Sequence, residues 1–590
     1  MPICTRGSNE GKCLMPQPSF SVASRCLSKT SRHFPMWVIS AENLLQLDSF
    51  KPHQELQAAG LLELHDPEHR DARVTFVSHE WSSFDHPDPQ NAQLHSLQQM
   101  ILGIRDGSIQ LRHDMNSYFR PAMTRPVSLQ ELKGIPKGYF WIDFLSIPQV
   151  CHCTSAAERR QVQEDMRAAV MSLHTYVAHC SFFVVLAPIQ YHTSGRLMSY
   201  SSWKSRGWCQ FELAVNGLLG SGTKPVLNVD TKTVWHVHYL SFWQLSPCCG
   251  DFTKDEDRYF IADALQQVME HMEDSLRSSN NAHRLHLLQN LRKELLKCRG
   301  FEITMPRIRT KDRSSSSGLW PGLHYAAALD DVELVRTLLK ADADVNACTQ
   351  CKDLDFQLQC GQTPLHVWAA FSRDPAVAEA LLQRKAEVDA LDDDRITPLM
   401  IACQMGNEAS CRTLLRCSAN VNHQDKLCLT PIMLAAASDH ARLFCSLLEY
   451  GADPLYQWAG VGLLHVVAAH CTDFTSECLQ NLLKEGLQLK SQCSIRFWSS
   501  PGFVLWCALL CSSEARKEWR LVSGSTPLCT SILRGNVGAL RLLLQAKADP
   551  KDLGTPDPRE YGKRASIPDQ VWQRLLEETQ GPETEKPPSS

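Results

Sequence analysis

The sequence predicts a multidomain chain: an N-terminal α/β domain built on an open parallel sheet, then a C-terminal all-α repeat solenoid. Three observations predict it. Apolar runs of strand length at Val74–Val77, Tyr139–Ile142 and Ser181–Leu186 are each followed by a helical or long connecting segment, the alternation of parallel strands joined by crossovers. From about residue 320 a Thr-Pro-Leu motif returns at a near-constant interval, as in stacked helical units. The chain has 590 residues, and length alone gives a prior of about three to four domains.

Composition narrows the class. Hydrophobic residues make up 43% and charged residues 21%, enough to bury substantial cores. A net charge of −4 gives no electrostatic footprint for nucleic acid. The 24 cysteines follow no disulfide framework and no signal-peptide pattern precedes them, so reduced thiols in the cytoplasm, or alternatively the nucleus, are expected. The longest apolar run, Phe503–Cys511, is far shorter than the roughly 20 residues that span a bilayer. No membrane partner is expected.

The chain then reads in order. Residues 1–35 mix Ser, Pro, Lys and Arg with Glu10 as the only acid, a disordered tail; a transit peptide shares that composition but needs an amphipathic helix that is not evident. Residues 36–300 form the α/β domain. Its organising stretch is Tyr139–Gln149, apolar until Asp143 and stopped at Pro148. Helices are expected over 93–104, 156–178, 203–219, 258–276 and 282–297, with a fourth strand at Pro225–Leu227. Residues 106–137 read as a polar insertion and 301–319 as a linker with four consecutive serines.

Residues 320–579 are repetitive. Thr363-Pro364-Leu365-His366 returns as Thr397-Pro398-Leu399 and Thr430-Pro431-Ile432, 34 and 33 positions on, the period of ankyrin repeats. Pro321–Ala327, Leu463–Ala469 and Ser525–Leu528 open further copies, about six in all. The long step before the last copy holds either a degenerate repeat or an insertion across 470–523. Leu382, Leu415 and Leu448 are expected between helices, and Asp392, Asp393 and Asp394 in an exposed hairpin. Such a stack presents an extended surface for a protein partner. Residues 580–590 read as a second disordered tail.

Carboxylates and polar groups that end apolar strands gather at one rim of an open sheet, where ligands bind. Ser78, His79, Trp81, Asp143 and Gln149 fall there. Ser78-His79-Glu80-Trp81, Trp141–Gln149, the Glu158-Arg159…Gln161…Met166 helix and Arg206-x-Trp208 with Glu212 four residues on resemble the successive motifs of the fungal heterokaryon-incompatibility domain. Trp208-Cys209-Gln210-Phe211-Glu212-Leu213 is likewise similar to the Trp-Cys-x-x-Glu-Leu helix of Toll/interleukin-receptor (TIR) domains. The resemblance covers roughly residues 70–220 and implies a TIR-like fold. Some TIR domains cleave the nicotinamide–ribose bond of NAD with the helix Glu. The resemblance therefore implies Glu212 as catalytic carboxylate, Ser78, His79, Trp81, Asp143 and Trp208 as the NAD-binding edge, and NAD as a substrate; no cofactor is required. It implies equally an assembly module that self-associates.

Cys151-His152-Cys153, Cys348-x-x-Cys351 with Cys360, and His236-x-His238 each lack a full ligand set for zinc, so no metal is expected. The sequence thus points to a signalling or regulatory protein that binds protein partners through ankyrin repeats. The alternative is an NAD glycohydrolase targeted by those repeats.

Overall fold

The computed structural model describes most of residues 34–580. Outside it, besides single positions, lie residues 1–33, 66–72, 114–126, 151–154, 220–223, 230–233, 238–244, 351–358, 372–373, 472–473, 493–523, 550–566 and 581–590, together with 279–320 apart from isolated helical positions. Both tails (the first up to residue 33, the second from residue 581), the linker, Cys151–Cys153, Cys351, His238 and most of the 282–297 helix therefore fall outside the described residues.

The described strands are β1 (Trp37–Ser40), β2 (Leu62–Leu64), β3 (Val74–His79), β4 (Leu111–His113), β5 (Tyr139–Ile142), β6 (Phe182–Leu186), β7 (Gln190–Tyr191), β8 (Leu197–Met198), β9 (Val226–Val229) and β10 (Val234–Val237). Eight form one sheet in the order β2-β1-β5-β3-β6-β9-β10-β4, and β7 and β8 pair separately. The centre, β5-β3-β6-β9, is parallel. On the flanks β1 runs antiparallel to β2 and β5, and β10 antiparallel to β9, while the edge strand β4 pairs parallel with β10. The open parallel sheet expected from the sequence is thus a mixed sheet with a parallel core. The short step from β9 to β10 explains one flank, because a parallel return needs a crossover of about a dozen residues or more.

Every residue of β3 and β6 is buried. Both faces are covered, which is why these strands read as unbroken apolar runs. On one face Val74, Phe76, Phe183 and Val185 pack with the helices α2 (Ala156–Met171), α3 (Leu173–His179), α5 (Gly207–Leu219) and α6 (Asp257–Ser278). On the other, Val77 and Val184 meet Leu97, Met100 and Ile101 of α1 (Ala92–Asp106). The single long helix expected at 156–178 is broken at Ser172. Its hydroxyl donates to the Ala168 carbonyl and accepts the Phe34 N–H, an alternative to the helical ladder. The expected 203–219 helix is broken too, into α4 (Tyr200–Ser205) and α5. Between them Arg206 is extended and bridges to Asp251. Gly207 is required there, since a Cβ would stand 2.0 Å from the Phe252 ring.

The C-terminal part is a helical solenoid. Among the described residues six helix pairs stack: 322–328 with 332–340, 364–371 with 375–383, 398–404 with 408–416, 431–437 with 442–449, 463–470 with 476–484, and 527–534 with 537–545; a last helix, 569–580, caps them. Thr397 and Thr526 cap the first helices of their units by accepting the N–H three residues on. Buried histidines tie three of the units to the next: Nε2 of His324, His366 and His465 bonds the carbonyls of Gln362, Ile396 and Ser525. The 463–470 helix packs directly on the 527–534 helix; residues 493–523, Phe503–Cys511 among them, lie outside the described residues.

The leucine register is corrected by one residue in two of the three pairs. Leu381, Leu414 and Leu447 are fully buried, Leu415 is buried, and Leu382 and Leu448 are half-buried. Asp392 is buried as well, its Oδ1 accepting the N–H groups of Asp394 and Ile396, while Asp393 is exposed. Replacing Leu415 by Ala is expected to lower stability by about 2–5 kcal/mol through lost packing. A denaturant midpoint equal to wild type would place Leu415 outside the core.

The two parts share a boundary. Ala328 and Val367 of the solenoid belong to the hydrophobic cluster of α5 and α6, and Tyr325, Phe371 and Met405 pack against it. Conversely Ile189 is buried in the solenoid's cluster, with Tyr191 and Leu197 against it.

Candidate functional site

The pleat sends Ser78 and His79, the last residues of β3, to opposite faces of the sheet. On the α1 face the His79 Nδ1–H donates to Gln93 Oε1 at 2.7 Å and Nε2–H to Asp143 Oδ1 at 2.7 Å. Gln93 can only accept there, because its amide nitrogen donates to the Glu80 carbonyl. Both ring nitrogens therefore carry protons, and His79 is an imidazolium. Burial alone would push it down, but Asp143 outweighs burial and holds it at about 9. The Asp143 carboxyl, which burial would raise, is kept below the ordinary carboxylate range by His79 and Trp81. Trp81 Nε1 donates to Asp143 Oδ2 at 3.0 Å and the Phe144 N–H to Oδ1. The Asp143 side chain remains 34% exposed while that of His79 is 2% exposed.

On the α5 face the Ser78 hydroxyl accepts the Trp203 indole N–H at 3.0 Å and bonds the Glu212 carboxyl. Burial, reinforced by Asp143, lifts Glu212 to about 8 despite that hydroxyl. At neutral pH the edge thus combines an imidazolium–carboxylate pair with a protonated, half-buried carboxylic acid, an arrangement able to give and take protons near physiological pH.

Ser78, His79, Trp81, Asp143 and Glu212 come together at the carboxyl ends of β3 and β5. Trp208 does not join them. Its indole donates to Asp257 at 3.0 Å and its ring meets Phe211 and Phe260, which joins α5 to α6. Gln149 sits apart, bonded to Gln54 and its own Ile147 carbonyl. The sequence reading missed the role of Glu80. This carboxylate, 6% exposed, takes Arg196 Nη2 at 2.5 Å and Ser202 Oγ at 2.7 Å, with Arg206 Nε at 3.8 Å. Gln93, Ser202 and Trp203 were missed with it. The Ser-His-Glu-Trp block named Glu80 but nothing local named its partners. Among the described residues no three of His, Cys, Asp or Glu gather where a metal ion could sit, and no helix is long and apolar enough to cross a membrane.

Comparison with known proteins bears on the solenoid. Residues 323–425 and 368–458 match the family model described as ankyrin repeats in three copies. The C-terminal part of the chain is an ankyrin-repeat solenoid, beside an α/β domain with a mixed sheet. Among curated proteins, neurogenic locus notch homolog protein 2 of Homo sapiens is 30% identical over 131 residues, 22% of this chain and 5% of that protein. Notch homolog protein 1 of Mus musculus is 34% identical over 133 residues, with the same coverage of both chains. Palmitoyltransferase AKR1 of Lachancea kluyveri is 28% identical over 170 residues, 22% of either chain. Among solved structures, the human ASB11 ankyrin repeat domain is 22% identical with a TM-score of 0.31, covering 44% of this chain and 98% of that one. The ankyrin domain of Bcl-3 is 21% identical with a TM-score of 0.28, covering 38% and 86%. Neither structural likeness bears on function.

Proposed function

We propose that this is a regulatory protein that captures a protein partner on the tips of its ankyrin hairpins, while its α/β domain, which resembles TIR and heterokaryon-incompatibility domains, signals or self-associates. One observation carries this reading. The hairpins form a rigid row, stitched by Asn346 to Glu387, Asp389 to Asn420 and Asn422 to Asp453, yet Leu391, Tyr450 and Leu455 stand 45%, 43% and 58% exposed nearby. Large apolar groups held out on an ordered surface favour a protein contact. On the inner helices, by contrast, Ala328 and Val367 are already packed in the α/β domain's own cluster. Quantitative affinity capture with wild type and the Leu391→Asp, Leu455→Asp double variant tests this. Specific partners should fall at least tenfold in the variant with no change in melting temperature; an identical partner set would refute it.

A second reading, a hydrolase that cleaves NAD, is favoured by the convergence of Ser78, His79, Asp143 and Glu212 on one edge. Such cleavage passes through an oxocarbenium-like ribose, and a carboxylate facing it stabilises the developing charge. Glu212 would be that carboxylate, with the His79–Asp143 pair fixing the edge around it.

A further inference from the structure

Residues 188–206, comprising β7, β8 and α4, touch both halves of the molecule at once. Toward the sheet edge, Arg196, Ser202 and Arg206 hold the Glu80 carboxylate, and Trp203 holds Ser78. The Thr193 N–H donates to the Ser82 carbonyl at 2.9 Å, and the His192 ring meets Phe84. Toward the solenoid, Ile189 is buried in the ankyrin core with Tyr191 and Leu197 packed against it. The Arg574 guanidinium of the capping helix lies 4.0 Å from the centre of the Tyr191 ring. Lys204 Nζ meets Asp439 Oδ2 of the fourth unit at 2.6 Å, the two side chains 25% and 11% exposed.

We propose that residues 188–206 form a strap through which the solenoid controls the order of the Ser78–Ser82 edge. The contacts on its two sides use different side chains of one short segment, so release on the solenoid side removes the support that positions Arg196, Ser202 and Trp203. A solenoid ligand that displaces the Tyr191 ring or the Lys204 ammonium frees Glu80 and Ser78 some distance from where it binds. The coupling does not depend on what the edge binds. It makes Lys204 and Arg574 positioning residues, acting through the strap.

Hydrogen exchange on the full chain tests this without an activity assay. Asp439 has φ +68°, a conformation that Asn also tolerates, so Asp439→Asn removes the charge and keeps the turn. In Asp439→Asn and Lys204→Glu, amides of 188–206 and of 78–86 should exchange at least tenfold faster, while those of 398–416 keep wild-type protection. Lys204→Arg should retain protection throughout. Arg574→Ala releases the other anchor without touching the ion pair and must give the same pattern for the proposal to stand. Unchanged exchange across 188–206 would show that the solenoid does not hold the strap. Faster exchange there with 78–86 unchanged would show that the strap does not order the edge. Either result overturns the proposal.

Discussion

Between pH 6.5 and pH 4 the ankyrin solenoid should lose most of its stability. His324, His366, His440 and His465 are pushed down from 6.5 to about 4, in each case chiefly by burial. His366 shows the chemistry. Its Nδ1 accepts the Thr363 N–H at 3.1 Å while Nε2–H donates to the Ile396 carbonyl at 2.9 Å, so a second proton breaks the first bond and is left with only the Thr363 hydroxyl, 2.9 Å away, to accept it. The Lys204 ammonium adds to the burial of His440. The unfolded chain binds these protons near 6.5 and the folded chain only near 4, so stability is complete above 6.5 and falls as pH drops through that window. Each group contributes about 3 kcal/mol at the conversion of 1.36 kcal/mol per unit. Together they amount to something on the order of 10 kcal/mol, comparable to the whole stability of a typical domain. Glu212 acts in the opposite sense, so the readout must be local. Exchange of the repeat amides should accelerate steeply from pH 6.5 to 4, and His366→Gln should flatten the curve. A flat profile would mean that these histidines are free to protonate in place.

Glu212→Gln should abolish NAD cleavage and at the same time stabilise the protein at alkaline pH. Removing a group that stabilises developing charge lowers turnover by about 10²–10³-fold, and the amide keeps the carboxyl's volume without its charge. If the ionised form acts, wild-type nicotinamide release should rise with pH and level off above about 8, where Glu212 ionises. The stability effect follows from the same shift. The folded state holds this proton more tightly than the unfolded chain, so the wild type loses stability as pH rises from about 4.5 to about 8. The Gln variant escapes that loss, on the order of a few kcal/mol. His79 adds a loss of the same sign between 6.5 and about 9, which both proteins share. Activity surviving in Glu212→Gln would refute the catalytic assignment. Wild type inactive at every pH would refute the hydrolase reading and leave protein capture in place.

What could be read from the sequence follows a physical division. Ser78, His79 and Asp143 were legible because each interrupts an apolar pattern at an element's end, and the rule for sheet rims then groups them; Glu212, inside α5, was named only by the resemblance of its helix to that of TIR domains. The partners of Glu80 were not, since Arg196 and Ser202 reach it across 116 and 122 residues and no local signal encodes that distance. Trp208 shares the helix of Glu212, but its ring turned to α6, a choice made by Asp257 and Phe260 after folding. The edge strands β1, β2 and β4 have three or four residues each. That is too short for alternation to show. The ankyrin units were plain because their caps, alanines and leucines repeat, whereas Leu382 and Leu448, second in two of the leucine pairs, are only half-buried: helix periodicity tolerates a one-residue error that burial does not.

The direct stacking of the fifth unit on the sixth has a consequence for how such an array can change. His465 bonds the Ser525 carbonyl and Asn536 the Cys471 carbonyl, just as His366 bonds Ile396 and Asn407 bonds Ala369. The contacts that define a neighbour are thus indifferent to how much chain separates the two units. That makes the junction a port, where sequence can be gained, lost or exchanged by descent or by design while the array on either side keeps its stacking.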